Sequence, residues 1–156
     1  MSNEVTNYNP GQATLLEMRA DSCRFPRLKT MTDEVAVSQL IHIVTQAFLY
    51  KGQAADPTNI QFISSALLQE IRQDRTYGLP DLSMAEIQVV VKRAVLGEEM
   101  FGISVASLYK VIMEYVKGEG LRNQEVVNNR KREVSPVSPI VKAYAGELIR
   151  NNKIRE

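Results

Sequence analysis

The chain has 156 residues, 44% hydrophobic and 24% charged, with a formal net charge of +1 and one cysteine. That profile fits a globular domain large enough to bury a core without disulfides or metals. It excludes wholesale disorder and an intrachain disulfide framework. The lone cysteine suits a reducing compartment, so a cytoplasmic location is expected. Residues 1–14 contain no apolar stretch of signal-peptide kind. Every apolar run is soon interrupted by charge or amide, which excludes a bilayer span, and no membrane partner is expected. The charge is uneven: residues 1–116 carry 10 basic and 13 acidic groups, and residues 117–156 carry 9 basic and 5 acidic. A basic C-terminal region of this kind points to an anionic partner, or to a solvated tail.

Residues 1–12 read as a lead-in with an Asn-Pro-Gly turn at 9–11, and residues 13–20 as a short helix that Phe25-Pro26 interrupts. The first strong helix is predicted over 33–51. Thr32 caps it, Asp33 and Glu34 suit its positive end, and Val37, Leu40, Ile41, Val44 and Phe48 share a face. Asp56-Pro57 opens a second helix, 57–74, with the stripe Ile60, Ile63, Leu67 and Ile71. Ser83 and Glu86 form an S-x-x-E capping box ahead of a third helix, 84–96. Ser104 opens a fourth, 104–117, with Val105, Leu108, Ile112, Tyr115 and Val116 on one side, and Gly118 and Gly120 are expected to close it. Beyond Gly120 the apolar pattern decays, so a helix at 121–133 would be marginal alone. Residues 134–139 (VSPVSP) read as a linker before a terminal helix, 139–151. No hairpin signal or internal repeat is present.

The expected fold class is therefore all-α: a small bundle of about four core helices (33–117) with a basic, partly flexible C-terminal tail. The expected division is a flexible N-terminal segment (1–31), a helical core domain (32–118) and the tail (119–156).

The chemistry-bearing residues are sparse. His42, alone on the less apolar side of its helix, makes a poor metal ligand. Cys23 reads as a small apolar filler. Glu98 and Glu99 read as a solvated loop pair, and the stretch from Gly97 to Gly102 lacks the Lys-Ser/Thr of a phosphate loop. No cofactor, metal or catalytic residue is expected, so a non-enzymatic role is.

Two resemblances bear on function. Residues 102–112, Gly-Ile-Ser-Val-Ala-Ser-Leu-Tyr-Lys-Val-Ile, resemble the recognition helix of helix-turn-helix proteins. That implies Ser104, Ser107 and Lys110 facing phosphates or base edges. Glu98 stands where that motif carries a small residue, and the connection from Gly97 to Ile103 is longer than its tight turn. Residues 83–116 are similar to a stretch found in small helical proteins of Bacteroidota phages and mobile elements. The matching residues are Lys92, Arg93, Ala94, Gly97, Glu98, Phe101, Gly102, Val105, Tyr109 and Tyr115, whereas Leu108-Tyr109 replaces a Phe and Trp. This likeness implies a replication-accessory role. Read as structure alone, with no ligand, the same loop has Phe101 plugging a gap between helices, and Gly97 and Gly102 adopting backbone angles that other residues resist.

The candidate binding residues are Lys92, Arg93 and Lys110 in the core and Arg122, Arg130, Lys131 and Arg132 in the tail. They suit a phosphate backbone. The expected function is a non-enzymatic accessory protein of DNA replication or maintenance on a phage or mobile element, binding DNA or a replication protein. The alternative is a protein–protein interaction or oligomerisation module, in which 139–151 docks on another copy.

Overall fold

The structure, a computed structural model, describes residues 13–97, 100 and 102–134. It is an all-α bundle. Its helices are α1 (Leu15–Ala20), α2 (Asp33–Tyr50), α3 (Pro57–Gln73), α4 (Met84–Leu96), α5 (Val105–Tyr115) and α6 (Leu121–Val134). The only pairing of strand type among the described residues is an isolated bridge between Arg27 and Ser83.

Local chemistry sets the helix starts. Thr32 Oγ1 accepts the Val35 N–H at 3.3 Å, and Asp56 Oδ1 accepts that of Thr58 at 3.3 Å, with Pro57 in the first turn. Ser83 Oγ accepts the Glu86 N–H at 3.2 Å, while Glu86 Oε1 accepts the Ser83 N–H at 3.1 Å. Each bond satisfies a backbone donor that the helix leaves orphaned. Helix α2 packs on α3 and α4, and α5 closes the other side of both α3 and α4. Leu40, Val44, Leu67, Ile71, Ile87, Val91, Leu108 and Ile112 meet in one core.

The core reaches further than residues 32–118 in both directions. At the N-terminal side, Leu15, Met18, Phe25 and Leu28 are all buried. The Leu28 N–H donates to the Leu82 carbonyl at 2.8 Å. Residues 13–31 are thus integral to the bundle. A six-residue helix is too short to display an amphipathic period, and its neighbouring charges disguise a buried segment as a polar one.

At the C-terminal side, Gly118 and Gly120 do not close the fourth helix. They lie in a π-helical turn, Val116–Gly120, that carries the chain from α5 directly into α6. A Cβ on Gly120 would stand 3.0 Å from the Tyr115 carbonyl oxygen and 3.2 Å from its ring. Gly120 therefore permits a close approach, and no left-handed cap forms. Packing of α6 on α1, with Val127 buried, supports a helix whose sequence would be marginal alone.

Gly97 ends α4 with φ −83°, and the left-handed glycines among the described residues are Gly52 and Gly78, so the special angles expected at Gly97 and Gly102 belong elsewhere. Cys23 is exposed instead of filling the core. Phe101, Glu98, Glu99 and the helix expected at 139–151 lie outside the described residues.

Candidate nucleic-acid interface

The seven cations singled out by sequence fall in three places. Lys92, on α4, faces α2: its Nζ sits 5.6 Å from the centre of the Tyr50 ring. Arg93, the next residue, points to the opposite neighbour, and its Nη1 bonds Glu119 Oε2 in the π turn at 2.8 Å. Lys110 on α5 approaches Glu114 Oε1 at 4.0 Å. Arg93 and Arg122 line one shallow cleft, Lys110 lines the next, and Val111 and Glu114 belong to both. The fold thus gathers Arg93, Lys110 and Arg122 along one trough, with Glu114 and Glu119 interleaved. Lys92 is not part of it. Three cations interleaved with two carboxylates leave the trough nearly neutral, so it is not a continuous positive face.

The third place is the far end of α6. Asn128, Asn129, Arg130, Lys131, Arg132 and Glu133 are all exposed. No ion pair involves Arg130, Lys131 or Arg132 among the described residues. Among those residues Val127 is the last buried side chain of the helix. Beyond it the helix leaves the bundle as a solvated cylinder with three cations near its C-terminal end, where they also complement the helix dipole.

The helix-turn-helix likeness at 102–112 is explained by capping. Ser104 Oγ accepts the Ser107 N–H at 3.1 Å, and Ser107 Oγ accepts the Ser104 N–H at 2.9 Å. Both hydroxyls are thereby engaged with the backbone of α5. The helix itself is wedged against α3 and α4 through Leu108 and Ile112, both essentially buried.

Another charged cluster was not anticipated from sequence. Glu86, already the capping-box residue of α4, is completely buried. Arg19 Nη2 lies 3.1 Å and Arg27 Nη1 3.4 Å from its Oε1, which also accepts the Ser83 hydroxyl at 3.0 Å. The Tyr115 hydroxyl donates to Oε2 at 2.6 Å. Arg27 also donates to the carbonyls of Met18 and Arg19, and Arg19 donates to that of Asp81. Burial pushes the Tyr115 phenol far up from its ordinary range, and the negative Glu86 adds to this. Burial, then the neighbouring Arg19, lowers Arg27, while Glu86 and Asp81 oppose that shift. Nearly every polar atom of the cluster is engaged by protein groups; within it, Arg19 Nε lacks a hydrogen-bond partner. The arrangement suits a structural tie among α1, α4 and the end of α5. The single sequence signal for any of it was the S-x-x-E box, since the arginines and tyrosine come from positions remote in the chain.

His42 is exposed, and its Nε2 lies 3.1 Å from Gln46 Nε2. Among the described residues no group of three His, Cys, Asp or Glu is placed to hold a metal ion, and no helix is long and apolar enough to cross a membrane. No family model matches the chain, and no curated protein or solved structure matches it either.

Proposed function

We propose that this chain is a non-enzymatic accessory protein of DNA replication or maintenance, in the phage or mobile-element setting that residues 83–116 resemble, and that it meets nucleic acid through the basic end of α6. The observation supporting this is the exposed run Asn128–Glu133, with three cations unpaired among the described residues. Cations held in that state keep their charge available for phosphates, and binding them would release counterions from the nucleic acid. Arg93 and Lys110 already face acidic partners and contribute less.

The test is fluorescence anisotropy of labelled DNA with the whole protein at low and moderate salt. Binding at micromolar protein that weakens steeply with salt is expected. Absence of binding to any nucleic acid at low salt would overturn the proposal.

A second reading, a protein-interaction or oligomerisation module, draws on a different surface. Leu49 on α2 and Phe62 on α3 are 70% and 67% exposed. Large apolar side chains this open are typical of contact patches when they cluster. A Phe62→Ser variant that shifts the sedimentation coefficient toward a smaller species would favour this reading.

A further inference from the structure

We infer that the far end of α6, Asn128–Glu133, enters the major groove of duplex DNA. This rests on the nucleic-acid reading above and narrows it to one form of nucleic acid and one groove.

Shape comes first. From Asn128 to Glu133 every side chain is exposed, so this stretch is a bare helix on all sides. An α-helix with its side chains is about 10–12 Å across, which matches a major groove about 12 Å wide and not a minor groove of about 6 Å. The corresponding groove of duplex RNA is deep and too narrow for such an element.

Charge comes second. Arg130, Lys131 and Arg132 are consecutive, so at about 100° per residue they span roughly 200° of the helix circumference. On a flat surface such a spread would waste one or more of the cations. Inside a groove it directs them toward the phosphates of both strands, which line its two walls. Glu133 is the one carboxylate in the projecting stretch.

Side-chain chemistry comes third. Asn129 and Arg132 are three residues apart and share a helix face. An amide and a guanidinium are groups able to pair with base edges in two places at once. Residues 121–134 contain no aromatic side chain. A single strand would therefore find no stacking platform here, which disfavours it as the ligand.

The experiment compares one sequence as duplex DNA, single-stranded DNA and duplex RNA, each titrated with the whole protein by anisotropy across a salt series. The full chain carrying Arg130→Gln, Lys131→Gln and Arg132→Gln is measured alongside, and circular dichroism checks that its helix content is kept. Duplex DNA is expected to bind at least roughly tenfold more tightly than the other two. The variant is expected to flatten the slope of log affinity against log salt by nearly three, at ~0.9 for each phosphate that is no longer neutralised. Equal affinity for single-stranded DNA or duplex RNA overturns the groove inference and leaves the nucleic-acid reading standing. Duplex binding unchanged in the variant overturns α6 as the reading element. Displacement of DNA by polyglutamate as readily as by competitor duplex marks the surface as a site for acidic protein and overturns the inference. No binding to any of the three overturns both proposals.

Discussion

The cluster around Glu86 and the far end of α6 both concentrate charge, and the fold treats them in opposite ways. At Glu86, two arginines, a tyrosine and a serine surround one carboxylate that has no contact with solvent. At the end of α6, three cations stand in water without an ion pair among the described residues. Charge removed from water has to be neutralised within the protein, so its partners are chosen by folding. Charge left in water is free to select a partner later. The first region holds the molecule together, and the second is where a ligand is to be sought.

The contrast between the two regions is tested most sharply at Glu86. Glu86→Ala leaves the buried Arg19 and Arg27 with only the more distant, partly exposed Asp81 as counter-charge and is expected to cost about 3–5 kcal/mol in urea unfolding. A loss below about 1 kcal/mol would mean that the cluster does not tie these helices together.

Met18 tests how far the tied region extends toward the N-terminus. It is fully buried, so Met18→Ala is expected to cost about 2–5 kcal/mol in the same assay. A near-neutral outcome would return residues 13–31 to the status of a loose lead-in.

Tyr115→Phe removes one hydrogen bond to a charged acceptor and is expected to cost about 1.5–3 kcal/mol at neutral pH. It also has a pH signature. Tyrosine ordinarily ionises near 10, and burial followed by the charge of Glu86 holds the folded phenol well above that. The stabilisation is fully present below the unfolded value. As pH climbs past 10 the unfolded chain releases this proton while the folded protein keeps it, so stability falls with rising pH. Stability measured against pH should fall less steeply above 10 in the Phe variant, and identical slopes would remove Tyr115 as the cause.

The smallest effect on stability belongs to the other region. The triple glutamine variant of Arg130, Lys131 and Arg132 is expected to stay within about 0.5 kcal/mol of the parent, because exposed unpaired side chains carry little of the fold. A large thermal destabilisation would show that these residues are tied to the bundle after all.

Much of the bundle was legible in the chain itself. Thr32, Asp56-Pro57, Ser83 and Ser104 each marked a helix start, because a capping side chain acts within three residues and needs no tertiary context. The stripes of α3 to α5 announced which faces would be buried, whereas on α2 the buried face is turned toward Ala36, Ile43 and Ala47, and the expected Val37 and Ile41 are only half-buried because α3 and α4 both pack on this helix. What escaped was long-range. Nothing local in Arg19, Arg27 or Tyr115 announces that they converge on Glu86, which lies 67, 59 and 29 positions away. The two glycines after Tyr115 looked like a helix end, because close packing against a ring and a left-handed cap call for the same residue. Among the seven candidate cations, sequence set Arg130, Lys131 and Arg132 apart only as an adjacent run and could not say which cations would find partners. The fold gave Arg93 and Lys110 acidic neighbours, placed Lys92 over a tyrosine ring and left Arg130, Lys131 and Arg132 free of ion pairs among the described residues.

By itself, the sequence determined the helical class, the starts of four helices and the apolar faces that α3 to α5 bury, because capping and periodicity are interactions between near neighbours. Tertiary structure alone decided that the N-terminal segment joins the core, that α6 forms as a helix, and which charges are neutralised and which remain available. These depend on burial, and burial is a property of elements brought together from distant parts of the chain.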